Sequence, residues 1–87
     1  MSPEEAEKIL RPRAEYKWLT ESGVQFWTVT DVAKNLNIGG NAIRVRCEDK
    51  TIKDAIFYGT QLGWRIPRSS LLVYLAELVI RKSSDAG

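Results

Sequence analysis

The spacing of hydrophobic positions along this chain changes repeatedly, and each change marks an element. Ser2, Pro3 and Glu5 form a helix start: an N-cap hydroxyl, a proline at the first helical position and a capping-box acid. Ile9 and Leu10 give that helix a short apolar edge, and Pro12, which lacks an amide donor, ends it near Leu10. A second helical stretch is predicted from about Arg13 to Glu21, with Tyr16 and Leu19 at i and i+3, Trp18 beside them and Gly23 as the stop. Residues Gln25 to Val29 read as an extended lead-in. Thr30 then caps a helix to about Leu36 that turns Val32, Ala33 and Leu36 inward. Asn37, Ile38, Gly39 and Gly40 form a turn, and a further helix from about Asn41 to Glu48 buries Ile43 and Cys47 at i and i+4.

After Thr51 the period shifts. Asp54 to Tyr58 and Gly63 to Ile66 are rich in aromatic and β-branched residues, and they flank Gly59 to Gly63, a hairpin loop. Pro67 opens a last helix to about Lys82, with Leu71, Leu75 and Leu78 on one stripe. Leu72, Val73, Val79 and Ile80 widen it, as in a helix buried on more than one side. Residues 83–87 read as a frayed tail. The predicted fold class is mainly α with a small β-hairpin (α+β). Two short helices joined by a tight turn, then a hairpin and a packing helix, make a winged helix-turn-helix with extra N-terminal helices. Ala33 supplies the small side chain at the close approach of the two helices, and Val32, Leu36, Ile38 and Ile43 surround it. The chain divides into a helical extension at 1–24 that packs on the core, the winged unit at 25–82, and the tail.

Eighty-seven residues suffice for one domain. The apolar run Leu71 to Ala76 is far shorter than the ~20 residues of a membrane span. The acidic start is unlike a signal peptide, so a cytoplasmic location is expected. With one cysteine and no histidine, neither an internal disulfide, a usual zinc site nor a Ser/His or Cys/His nucleophile pair can be assembled. No enzyme activity, cofactor, metal or small-molecule substrate is therefore expected. Residues 1–22 carry net −1 and residues 23–87 net +3, so the basic excess lies in the half with the paired helices and hairpin. Cys47 reads as a small buried hydrophobe, and Trp18, Trp27 and Trp64 as core residues, Trp64 pinning the hairpin to the helices. Tyr58 is divided between hairpin packing and a phosphate contact. The broad apolar surface of the last helix has two candidate occupants. One is a second copy of the chain, giving a homodimer through the C-terminal helix. The other, which the reading favours, is the N-terminal segment through Ile9, Leu10, Tyr16 and Leu19.

The stretch from Thr28 to Ile38, Thr-Val-Thr-Asp-Val-Ala-Lys-Asn-Leu-Asn-Ile, resembles the opening helix and turn of excisionase-type and MerR-like DNA-binding domains. Gly63 to Leu71, Gly-Trp-Arg-Ile-Pro-Arg-Ser-Ser-Leu, is similar to the passage from wing strand to packing helix in the same domains, and is the more specific of the two. The resemblance covers roughly Trp27 to Leu78. It implies a double-stranded DNA partner, with Asn41, Arg44 and Val45 facing base edges, and Lys34, Arg65 and Arg68 neutralising phosphates. Thr60 and Gln61 at the hairpin tip would bond to sugar or phosphate. It also implies a recombination directionality factor or a small transcriptional regulator. The chain departs from the family pattern in Gly39 and Gly40 at the start of the second helix and in Arg46 at an apolar position. It departs again in the nearby acids Glu48, Asp49 and Asp54, and in a longer wing. Those departures keep open an alternative, a protein-interaction or assembly module such as a phage DNA-packaging subunit on the same fold.

Overall fold

Local chemistry sets most of the element boundaries in the computed structural model, which describes residues 1–85. Helix α1 (Pro3–Leu10) begins where the Ser2 hydroxyl accepts from the Glu5 amide at 3.2 Å, and it ends before Pro12. The stretch predicted as one helix over 13–21 is a 3-10 turn (Ala14–Tyr16) running into a single α-turn, α2 (Lys17–Thr20). Strand β1 (Phe26–Thr28) leads directly into α3 (Val29–Leu36). The cap of α3 is Thr28 and not Thr30. Its hydroxyl accepts from the Asp31 amide at 3.1 Å, so the helix starts earlier than its hydrophobic pattern suggests. Asn37 stops α3 in the left-handed region at φ 58°, a conformation asparagine tolerates well. After the turn come α4 (Gly40–Glu48), β2 (Ile56–Phe57), β3 (Trp64–Pro67) and α5 (Arg68–Asp85). Of the tail expected at residues 83–87, Ser83 to Asp85 continue α5, and Ala86 and Gly87 lie outside the described residues.

The result is an α+β fold: among the described residues, five α-helices and a three-stranded antiparallel sheet in the order β1-β3-β2. The extended lead-in is thus a sheet member, pairing Trp27 with Ile66 and Thr28 with Arg65. Directly opposed residues in an antiparallel pair share a face. Trp27 and Ile66 therefore point to the core together, and Phe57 and Trp64 extend the same face outward, their rings 5.2 Å apart. Ile56, Arg65 and Thr28 share the opposite face.

The core is assembled from both ends of the chain. Ala6 and Leu10 of α1 and Leu19 of α2 are fully buried together with Leu71, Leu75 and Ala76 of α5. The α1–α5 contact is the most extensive between any two elements. Leu72 and Val79 are buried while Ile80 is exposed, so the N-terminal segment occupies part of the apolar width of α5 and leaves an outer edge open. Trp18 stands edge-on to Trp27 at 5.1 Å, closing the core beside the sheet. Arg68 fastens the same seam. Its guanidinium donates to Glu7 Oε1 at 2.9 Å and to the Thr20 carbonyl at 3.2 Å, and its backbone amide donates to Gln25 at 2.8 Å.

On the other side, α3 and α4 pack through Val32, Ala33, Ile43 and Cys47, all buried as their spacing predicts. Burial pushes the Cys47 thiol up to about 11, as expected for an inert core sulfur. Ile38 departs from expectation. It is 46% exposed, because the left-handed residue before it swings the turn away from the core. Ile52, in the loop after α4, takes a fully buried position that periodicity did not reveal. Its amide donates to the Arg46 carbonyl at 3.0 Å, which fixes the loop against α4.

Candidate nucleic-acid interface

Between α4, the start of α3 and the β2–β3 hairpin lies a half-open cleft of about 670 Å³. Arg44 and Glu48 enter from α4, Thr28 and Thr30 from the base, and Thr60 and Gln61 from the hairpin loop, while Phe57 and Trp64 form an aromatic wall. The loop, residues 58–63, is shaped by backbone that only glycine adopts easily. Gly59 and Gly63 have φ of 98° and 67°, and the Gly63 amide bonds back to Gly59 at 2.7 Å. Arg65 locks this shape by donating to the carbonyls of Leu62 and Trp64.

The positions expected to meet DNA fall into distinct groups. Arg44, Thr60 and Gln61 share the cleft. Asn41 joins them from the first turn of α4, its Oδ1 accepting from Arg44 at 3.0 Å, so the arginine is pre-oriented by a neutral partner. Val45 is exposed beside them on α4. Lys34 is exposed on α3 but outside the cleft, and Arg65 stands on the sheet face opposite Trp64. Arg68 requires a correction. Its side chain is only 18% exposed and is held by Glu7, so the arginine that the resemblance gives to phosphate fastens the N-terminal segment instead. The resemblance expected over Gly63–Leu71 extends over Arg68, but the glutamate that engages it, Glu7, lies outside that stretch.

Sequence reasoning missed Glu48, Thr30 and Phe57 as parts of this surface. Glu48 had a usable signal: it stands four residues after Arg44 and seven after Asn41, one helical face. Arg46, at a position expected to be apolar, is exposed and pairs with Asp49 at 3.3 Å. The Asp49 carboxyl also accepts from the Thr51 hydroxyl and amide, and those hydrogen bonds hold it below the usual carboxylate range. Among the described residues Arg44, Lys34 and Arg65 form no ion pair; the Arg44 and Arg65 guanidiniums donate only to neutral oxygens, of Asn41 and of the Leu62 and Trp64 carbonyls.

Gly39 and Gly40 keep the start of α4 bare. A Cβ at Gly39 would meet no heavy atom of the described residues within 4 Å, and one at Gly40 would only touch Val29. Nothing in the packing demands glycine there. Among the described residues no group of three His, Cys, Asp or Glu side chains is placed to hold a metal ion. No helix among them is long and apolar enough to cross a membrane. Comparison with protein-family models, curated proteins and solved structures finds no match, so the reading of this surface rests on its own geometry and chemistry.

Proposed function

We propose that the chain binds duplex DNA in a sequence-specific manner as a winged helix-turn-helix protein, without acting on it as an enzyme. The observation that carries this reading is the cleft lined by Arg44, which is hydrogen-bonded to the neighbouring Asn41, on one side and by Thr60 and Gln61 on the other. It joins two base-reading side chains to a hairpin tip with hydroxyl and amide groups. Helix α4 is about 13 Å long at 1.5 Å per residue and narrow enough to enter a major groove about 12 Å wide. Arginine pairs with guanine O6 and N7, and asparagine with adenine N6 and N7, each through two hydrogen bonds. The hairpin then lies along the adjacent backbone, where Arg65, on its far face, and Lys34 supply phosphate contacts. On this reading the chain serves as a recombination directionality factor or a small transcriptional regulator; the first requires DNA bending, a measurable difference.

A second reading, a protein-interaction or assembly module, is favoured by one feature. Ile56, Phe57, Tyr58 and Leu62 are all about half exposed on the hairpin, more apolar surface than phosphate contact needs. Fluorescence-anisotropy titrations with random and genomic duplexes across a salt series separate the two. Duplex binding that weakens steeply with salt, with a subset of sequences retained at higher salt, is the expected outcome. No binding at about 50 mM salt, where phosphate contacts are strong, overturns the DNA reading in favour of the second.

A further inference from the structure

Building on the duplex reading above, we infer that Glu48 is a specificity-determining residue that accepts a hydrogen bond from the exocyclic amine of cytosine. Glu48 is exposed on the last turn of α4 and lines the cleft with Arg44. Its position invites an i,i+4 ion pair with Arg44, yet that guanidinium turns to Asn41, and among the described residues Glu48 has no ion-pair partner. Nor does it help the helix, since a carboxylate near a helix C-terminus opposes the macrodipole. On a surface facing phosphates it also repels them. Held on the cleft wall beside Arg44, this carboxylate is placed to accept from a base-edge amine, which would offset its repulsion of phosphate.

The major groove offers amine donors on cytosine N4 and adenine N6. Adenine sets the acceptor N7 beside its amine, which repels a carboxylate; cytosine does not. The spacing fits this role. Four residues of helix rise about 6 Å and base pairs stack about 3.4 Å apart, so Arg44 and Glu48 reach positions about two base pairs apart.

The test is selection from a randomised duplex pool with the wild-type chain, R44A, E48A and E48Q, followed by affinity measurements for each base at each selected position. The wild type should require cytosine about two base pairs from the guanine whose preference R44A loses. E48A should lose roughly tenfold or more of the discrimination at that cytosine and bind other duplexes somewhat more tightly. E48Q should shift the preference toward adenine, which a glutamine amide pairs through two hydrogen bonds. A purely repulsive role for Glu48 would tighten binding to all duplexes in both variants with every preference unchanged, and that result overturns the inference alone. Absence of duplex binding by the wild type overturns the DNA reading and this inference with it.

Discussion

The two faces of this molecule handle their polar and apolar groups in opposite ways. Around α1, α2 and α5, Leu10, Leu19, Leu71 and Leu75 are fully buried and the part-buried arginine, Arg68, is matched by a carboxylate. Around α4 and the hairpin, apolar side chains such as Val45, Phe57 and Leu62 stand in solvent, and Arg44, Lys34 and Arg65 lack acidic partners among the described residues. The first face buries most of its apolar surface within the chain, although the ring nitrogens of Trp18 and Trp27 and Nε of Arg68 are buried there without a hydrogen-bond partner. The second leaves positive charge without an acidic partner and hydrophobic surface in solvent, the features on which the proposed DNA contact rests. Arg65 and Arg68 show the difference within three residues, since strand alternation and the start of α5 send one to the outside of the hairpin and the other into the seam.

The strongest way to break the comparison is to truncate the closed face. Leu75→Ala removes a fully buried side chain and should cost about 3 kcal/mol. For a domain of this size that lowers Tm by roughly 15 °C in a thermal melt. Val45→Ala, on the open face, should leave Tm within a few degrees.

Next in size is the arginine pair. Arg68→Ala leaves Glu7 part-buried without its main partner and should lose about 2 kcal/mol by denaturant titration, with the salt slope of DNA binding unchanged. Arg65→Ala, which removes the guanidinium bonded to the Leu62 and Trp64 carbonyls, should cost only about 1 kcal/mol and weaken binding to all duplexes alike, lowering the salt slope by about one. Swapped readouts would dissolve the distinction between the faces.

A smaller effect sharpens the boundary at the base of the cleft. Thr28→Ala should cost about 1 kcal/mol through the lost cap, while Thr30→Ala should cost almost nothing.

Smallest is an acid effect. Hydrogen bonding to Arg68, with its charge and that of Arg11, holds the Glu7 carboxyl below its ordinary value. A depressed folded-state pKa means that stability is fully present above the unfolded value, near 4.5, and is lost as pH falls through the lower folded value. Glu7→Gln should flatten the loss of stability seen in chemical denaturation as pH falls below the ordinary carboxylate value, leaving the part due to Asp49, which shifts in the same direction.

Much of this was legible in the chain itself because period and punctuation agree. The Ser2–Pro3–Glu5 start, the Asn37 stop, the Ile43–Cys47 pair and the two hairpin glycines each act within a few residues. What sequence reading missed depends on distant partners. Arg68 looks free until Glu7, sixty-one residues earlier, is seen to engage it. The role of β1 is set by pairing with β3, and Ile52 is buried by a loop that carries no periodicity. The cleft was half legible: Arg44, Thr60 and Gln61 were identified, with Asn41 beside them, whereas Glu48 was read only as a nearby negative charge.

The most direct test of the account is amide chemical-shift mapping of the labelled chain during titration with a duplex that it binds. The open face should respond, with shifts concentrated on residues 39–48 and 57–65, while α1 and the buried stripe of α5 stay unmoved. Shifts centred on α5, or no shifts with any duplex at low salt, would contradict the assignment of DNA binding to the cleft face.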